Sequence, residues 1–232
     1  MKKSTVDLGN AERWQEELEE NIRQIRVSLP YRAWSLSRGQ RLYLPFKRLL
    51  DIVLSFAALV VLSPLFIIIA ILVKLTSHGP ILFKQTRVGR SRQLFTIFKF
   101  RSMYLSAPPN MSTAQFDDMD GYITPLGKVL RKTSLDELPQ LINVFLGQMS
   151  LVGYRPLIFK EVEIDNMRNQ AGVYSIKPGI TGYAQVNGRD NLTDPEKLAF
   201  DQRYLKNFSL LTDLKIFFQT FAVVIKHKDV KG

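Results

Sequence analysis

The chain has 232 residues, 46% hydrophobic and 23% charged, a size and composition that suit one ordinary globular unit and exclude a collagenous, low-complexity or disordered protein. It contains no cysteine and only two histidines, His78 and His227, so disulfides, thiolate metal sites and cysteine nucleophiles are excluded and any chemistry rests mainly on carboxylates, Lys and Arg. The net charge of +11 is concentrated in residues 31–101, which hold 12 basic residues and 1 acidic one, and charge that brackets an apolar segment indicates a membrane-surface protein before a nucleic-acid binder.

From Asn10, a plausible cap, Trp14, Leu18, Ile22, Ile25 and Leu29 recur at helical spacing, with Glu12, Glu16, Glu17, Glu19 and Glu20 elsewhere on the surface. This predicts an amphipathic helix with an acidic face. Its acidity disfavours anionic lipid, which leaves a cover for the catalytic body, a homodimer contact, or simple packing on its own domain. Pro30, Pro45 and the Ser35–Gly39 stretch mark a linker, so residues 1–45 read as an extension and linker.

Between Ile52 and Val73 only Ser55, Ser63 and Pro64 interrupt apolar residues. The run begins too far into the chain for a secretory signal, and no small-residue cleavage site follows it. At about 22 residues and 1.5 Å rise it could just span a bilayer core of about 30 Å. Two features favour a re-entrant helix-break-helix anchor over residues 46–75 instead. Arg38, Arg41, Lys47 and Arg48 precede the run and Lys74, Lys84, Arg87, Arg90 and Arg92 follow it, which draws both ends to the cytoplasmic side. Ser63-Pro64 stands at the midpoint, where Pro removes a helical hydrogen bond, and each half is then roughly 15 Å long, one leaflet deep.

After a turn at Gly79-Pro80, Ile81–Phe83 and Leu94–Phe100 read as two strands joined by the basic stretch Arg87–Arg92. Residues 105–121 read as a mobile loop. Its Asp117, Asp118 and Asp120 resemble the start of a calcium loop, but the required Glu at the twelfth position is missing. Lys177–Gly182 followed by Asn187-Gly188 predicts a type II turn, a short strand and a hairpin turn. Leu214, Phe217, Phe218, Phe221, Val224 and Ile225 suit a helix in a membrane interface or, equally, a buried core helix.

The segment Leu130–Phe145 holds the candidate chemistry. Pro139 is tolerated only in a first helical turn, so a helix is expected to start near Asp136 with Leu138, Leu141, Ile142 and Phe145 inward. Two readings of its first residues stand side by side. Asp136 is an N-cap and Glu137 a first-turn acid favoured by the helix dipole. Alternatively, the adjacent carboxylates, with Arg131 and Lys132 close by, form a site where a carboxylate stays ionised, a phosphate docks and Mg²⁺ is held.

Seven blocks bear on that choice: Lys47–Asp51 (KRLLD), Leu62–Phe66 (LSPLF), Gly79–Gly89 (GPILFKQTRVG), Phe98–Met103 (FKFRSM), Leu130–Gln140 (LRKTSLDELPQ), Met149–Pro156 (MSLVGYRP) and Lys177–Arg189 (KPGITGYAQVNGR). In order and over about four fifths of the chain they resemble the bacterial sugar transferase family, the small monotopic phosphoglycosyl transferases that start glycan assembly on a polyprenol carrier. Tyr154 departs from the Pro usual there, which bears on the stiffness of that loop. Residues 1–45 lie outside the resemblance.

The resemblance implies an α+β, mainly helical fold: a monotopic membrane protein with the re-entrant anchor, interfacial helices and a small β-hairpin, residues 76–232 being the cytoplasmic catalytic domain. It implies that Asp136 attacks the sugar-side phosphate of a UDP-sugar, expels UMP and hands the phosphosugar to undecaprenyl phosphate. Ser63 and Pro64 would form the membrane break. Glu137 would assist Asp136, both acids would hold Mg²⁺, and Lys99, Arg131 and Arg155 would hold the diphosphate. Gln185 and Arg189 are further candidates for nucleotide or sugar contact, while Arg101 is expected at lipid headgroups. The implied place is the cytoplasmic face of the bacterial inner membrane, ahead of downstream glycosyltransferases in exopolysaccharide, capsule, O-antigen or glycoprotein glycan synthesis. The rivals are a non-catalytic basic membrane-docking module and a single-stranded nucleic-acid binder built on Phe95, Phe98 and Phe100. The uninterrupted apolar run speaks against nucleic acid.

Overall fold

Ser37 starts the first helix with a reciprocal cap: its hydroxyl accepts from the Gln40 backbone N–H at 3.2 Å, and Gln40 Oε1 accepts from the Ser37 N–H at 3.0 Å. Two donors that a helix start leaves open are thereby satisfied. The computed structural model describes residues 30–107, 121–158, 160–188 and 191–225, together with Glu20. The chain forms two compact units, Met1–Tyr31 and Arg32–Gly232. Apart from Glu20, the expected N-terminal amphipathic helix lies outside the described residues, as do Asp117, Asp118 and Asp120.

Helix α1 runs Arg38–Val61 and α2 runs Ser63–Thr76, with a 61° bend at the break. Pro64 stands in the first turn of α2, where its missing N–H costs no helical bond, and Ser63 Oγ donates to the Val60 carbonyl at 2.8 Å. The helix-break-helix geometry is therefore present at Ser63-Pro64. Among the described residues no single helix is long and apolar enough to cross a membrane, whereas the bent pair passes that test together.

The expected linker is in part helical, because α1 begins at Arg38 and contains Pro45. Residues 32–45 are fastened to the body. The Arg32 and Trp34 amides donate to Asn169 Oδ1 and Ser175 Oγ, and Gln40 Nε2 donates to the Leu205 carbonyl. The second compact unit begins at Arg32 and so includes residues 32–45.

Strands β1 (Leu82–Val88) and β2 (Leu94–Phe100) pair antiparallel, with Phe83 opposite Lys99 and Arg87 opposite Phe95. β1 is longer than expected because Arg87 and Val88 stay in the ladder. The turn is confined to Gly89–Gln93, where Ser91 and Arg92 adopt φ of 54° and 60°. Side chains alternate across a sheet, so Phe100 joins Ile69, Val73 and Leu130 on one face while Ile97 joins Val144 and Met149 on the other.

The chain continues through α3 (Pro125–Lys132), a 3-10 turn (Leu135–Glu137), α4 (Gln140–Phe145), β3 (Ser150–Val152), α5 (Val162–Gln170), β4 (Gly179–Thr181), α6 (Tyr183–Val186), α7 (Asp194–Asn207) and α8 (Leu210–Ile225). The described body is thus mainly helical with two small sheets. β3 and β4 pair in parallel, Ser150 opposite Gly179 and Val152 opposite Thr181. Gly153 and Gly179 approach so closely that a Cβ on either would strike the backbone of the other. The hairpin turn expected at Asn187-Gly188 does not form, since α6 follows β4 and the strand's partner is β3. Phe145 is exposed rather than inward, and the buried side chains of α4 are Gln140, Leu141, Asn143 and Val144.

Buried acids tie the helices to this frame. Asp51 Oδ1 accepts from Ser150 Oγ at 3.0 Å and from the Leu151 N–H at 2.9 Å. Asp213 on α8 accepts from the Tyr43 and Tyr204 hydroxyls at 2.9 and 2.7 Å and pairs with Lys47. Arg168 and Asp201 form a buried pair at 2.5 Å. On α8, Ile216 is buried while Leu211, Phe218 and Phe221 face outward, and the outer sides of α1 and α2 expose Val53, Phe56, Val61, Ile67 and Leu75. Apolar area on this scale marks an interaction surface.

Candidate active site

Ser134 takes a left-handed conformation, φ 58°, and turns the chain from α3 into the 3-10 turn Leu135–Glu137. Leu135 and Leu138 pack on the Ile69, Val73, Phe100 and Leu130 cluster. Asp136 and Glu137, between these two leucines, are held as an adjacent pair. Asp136 is 7% exposed. It is not the helix N-cap, a place held by Ser134 for the 3-10 turn and Pro139 for α4.

β2 delivers Lys99 to this pair, and its Nζ donates to Glu137 Oε1 at 2.7 Å. Arg155, just beyond β3, reaches the same oxygen from Nη1 at 3.4 Å. Two supports hold these cations. Asn143, fully buried on α4, accepts from the Phe98 N–H at 3.1 Å and donates to the Thr96 carbonyl at 2.7 Å, fixing β2 beside Lys99. Arg168 Nη1 donates to the Arg155 carbonyl at 2.8 Å. Tyr154 is buried, with the Arg168 guanidinium 5.3 Å from its ring centroid, and its carbonyl accepts from the Gly179 N–H at 2.8 Å. Packing and backbone pairing therefore hold the loop at the position where the resemblance led us to expect Pro.

The Asp136 carboxylate has no hydrogen-bond donor and no ion-pair partner among the described residues. Burial pushes its pKa up to about 6; the Lys99, Arg131 and Arg155 charges pull it down and Glu137 pushes it further up. The acid is ionised at neutral pH, oriented by charge and not blocked by a donor.

Arg87, Lys99, Glu137, Gln140 and Arg155 line a small cleft whose apolar part includes Ile97 and Ile180. Arg87 and Gln140 went unnoticed in the sequence as site residues. Arg87 could have been found from strand period, because the register puts Arg87 and Lys99 on one face of the hairpin. Burial and the neighbouring Arg155 push the Arg87 guanidinium down to about 10, and its Nη1 donates to the Pro156 carbonyl at 3.1 Å.

The remaining candidates lie elsewhere. Gln185 is buried and donates from Nε2 to the Ile180 carbonyl at 2.7 Å, supporting β4 rather than lining the cleft. Arg189 lies outside the described residues. Arg101 is buried and not available to headgroups: its Nη2 donates to the Ser77 carbonyl at 2.7 Å and to Ser77 Oγ at 2.8 Å, closing the end of α2.

Four cations around two acids suit an anionic, phosphate-bearing ligand. The acids also suit Mg²⁺, which commonly takes one or two carboxylates and completes its shell with phosphate oxygens and water. No group of three or more His, Cys, Asp or Glu side chains that could hold a metal occurs among the described residues, so a protein-only cage is not what this donor set offers.

Comparison with known proteins gives a consistent picture. The model of the bacterial sugar transferase family matches residues 42–227. The exopolysaccharide production protein ExoY of Sinorhizobium fredii is 38% identical over 193 residues, 77% of this chain and 84% of the relative. The UDP-glucose:undecaprenyl-phosphate glucose-1-phosphate transferase of Klebsiella pneumoniae is 41% identical over 182 residues, 75% of this chain and 39% of the relative. The undecaprenyl-phosphate galactose phosphotransferase of Salmonella typhimurium is 39% identical over 196 residues, 78% of this chain and 40% of the relative. The chain thus matches most of the first relative and about two fifths of the other two.

Proposed function

The chain belongs to the bacterial sugar transferase family, and from that premise we propose that it transfers a sugar-1-phosphate from a UDP-sugar to undecaprenyl phosphate, releasing UMP and leaving undecaprenyl-diphospho-sugar. The observation that carries this reading is the Asp136 carboxylate, buried, without a donor among the described residues, and under the charges of Lys99, Arg131 and Arg155. An ionised carboxylate in that setting is a competent nucleophile at phosphorus.

In the first step an Asp136 oxygen bonds to the sugar-side phosphorus as the bond from that phosphorus to the UMP oxygen breaks. The electron pair leaves with UMP, and the phosphosugar remains as an acyl phosphate. In the second step a phosphate oxygen of undecaprenyl phosphate attacks the same phosphorus and Asp136 leaves as carboxylate. Lys99, Arg131 and Arg155 neutralise charge on the transferring oxygens, a task that needs positioned cations more than covalent chemistry. Mg²⁺, held by Asp136 and Glu137, would supply further neutralisation of phosphate charge. Glu137, paired with Lys99 and Arg155, holds those two cations in place.

The apolar outer sides of α1, α2 and α8 support seating at a membrane, and the basic flanks of the bent pair support the cytoplasmic face of the bacterial inner membrane. There a lipid-borne phosphate and a soluble nucleotide sugar can meet. The names of the relatives favour polysaccharide synthesis as the setting, with the first membrane step as this chain's place.

The test is UMP release. Protein in membranes, given a panel of UDP-sugars with undecaprenyl phosphate, releases UMP with one or a few of them. Without lipid acceptor the active sugar gives one stoichiometric burst. Absence of UMP across the panel would favour a non-catalytic docking module.

A further inference from the structure

A second basic cluster shares no residue with the cleft at Glu137. It closes on a cavity of about 220 Å³ between α1, the turn at Arg90 and the segment entering β4. Leu44, Val152 and Phe208 contribute apolar wall, and Lys47, Arg48, Arg90 and Lys177 contribute charge. Among the described residues Asp51 is the sole acid lining it, and its Oδ1 already accepts from Ser150 and Leu151. Lys47 is engaged with Asp213.

No carboxylate bonds to the other three cations among the described residues. Arg48 donates from Nη1 to the Val144 carbonyl at 2.7 Å and from Nη2 to the Phe145 carbonyl at 2.8 Å, closing α4 without pairing with an acid. The Arg90 and Lys177 side chains have no hydrogen-bond or ion-pair partner among the described residues. Arg48 and Lys177 converge on one point: a Cβ on Gly147 would lie 3.1 Å from Arg48 Nη2 and 3.5 Å from Lys177 Nζ. The φ of +85° at Gly147 reserves that position for glycine, so the space stays open. Burial, Arg48 and Arg90 all push the Lys177 pKa down, and Asp51 only partly offsets them. Arg48 and Lys177 are half-buried and Arg90 stands exposed at the rim, and like charges placed so close favour an anion between them.

We propose that this cavity is a second phosphate-binding site, in which Arg48, Arg90 and Lys177 hold one phosphate group and the apolar wall receives the carbon attached to it. Guanidinium groups suit phosphate oxygens and the lysine adds a point charge. The phosphate can belong to a lipid headgroup or to a free ester. The site stands apart from the Asp136 chemistry and needs no turnover to be observed.

Thermal unfolding of the full chain in non-ionic detergent reads it, since a ligand that binds only the folded state raises the midpoint. Lys99→Gln, which weakens the Glu137 cleft, serves as background, and the probes are inorganic phosphate and dihexanoyl phosphatidate. At least one probe should raise the midpoint by several degrees, and adding Arg90→Gln with Lys177→Gln should weaken the apparent affinity at least tenfold. A shift with inorganic phosphate identifies a free phosphate as sufficient. A shift confined to the phosphatidate identifies a lipid headgroup. Arg90→Gln alone, an exposed residue with no described partner, keeps the comparison valid if the combined variant fails to fold. No shift from either probe, or a shift of equal affinity in the Arg90 and Lys177 variants, would overturn the proposal.

Discussion

Lys99 and Glu137 form an ion pair at 2.7 Å, while the adjacent Asp136 receives no donor among the described residues. The two carboxylates are adjacent in sequence and opposite in environment. One is paired by a direct bond and the other is left without one among the described residues, with its pKa pushed up to about 6 by burial.

The first prediction concerns turnover. Asp136→Asn keeps shape but removes the charge that attacks phosphorus. UMP release should fall by several orders of magnitude, as when the group forming a covalent intermediate is lost. The burst without lipid acceptor should vanish. Near-normal turnover by a folded Asp136→Asn protein would sink the mechanism.

The second concerns stability, where the same substitution acts in the opposite direction. Between its ordinary value of 3.8 and about 6, Asp136 is protonated in the folded chain and ionised in the unfolded one. The unfolded chain binds fewer protons there, so stability falls as pH rises through that window and the full cost persists above it. Removing the charge should stabilise the protein at pH 7 by an amount on the order of 3 kcal/mol, with the gain fading toward pH 4. Thermal unfolding at pH 4.5 and 7 checks both.

A third prediction is a pH profile. Activity should rise with an acid limb near pH 6 as Asp136 ionises. Lys99 lowers that pKa, so Lys99→Met should move the limb to higher pH as well as reduce the plateau. A limb that stays in place in Lys99→Met would show that the titrating group is not Asp136.

Much of this site was legible from residue type and spacing. Residue type and spacing singled out the acid pair beside Arg131 and Lys132, the resemblance alone pointed to Lys99 and Arg155, and strand period would have added Arg87. The helix start was misread because Pro139 seemed to demand a first turn at Asp136, whereas the left-handed Ser134 inserts a 3-10 turn ahead of α4. Arg101 was expected at lipid headgroups and Gln185 at nucleotide or sugar because a polar side chain in a motif gives no sign of its depth. Both prove to be spent on backbone carbonyls. The parallel pairing of β3 with β4 joins segments too far apart for local turn signals to reveal.

A fourth prediction tests Asn143, which no local motif marks as a support. Asn143→Leu would strand the Phe98 N–H and the Thr96 carbonyl that it now satisfies. A loss of about 2–4 kcal/mol is expected from two orphaned backbone groups. Activity per folded molecule should also fall as Lys99 loses its fixed approach. Unchanged unfolding midpoints would refute the assigned role.

A fifth addresses topology. Cysteines placed at residues 41 and 84, on either side of the apolar run Ile52–Val73, should be equally shielded from an external thiol reagent in intact cells. Labelling of one position alone would indicate a spanning segment.

On the membrane reading proposed above, the two hydrogen bonds that Asp51 accepts from Ser150 and Leu151 would act as a height gauge. Asp51 precedes the break at Leu62 by roughly 16 Å of helix, about the depth of one leaflet. The strand grasped by Asp51 leads directly to Arg155, so a tilt or withdrawal of α1 would lift β3 and misalign Arg155 against Glu137. On the membrane reading proposed here, seating depth and catalytic alignment become one variable, and bilayer thickness would tune the enzyme without touching its substrates.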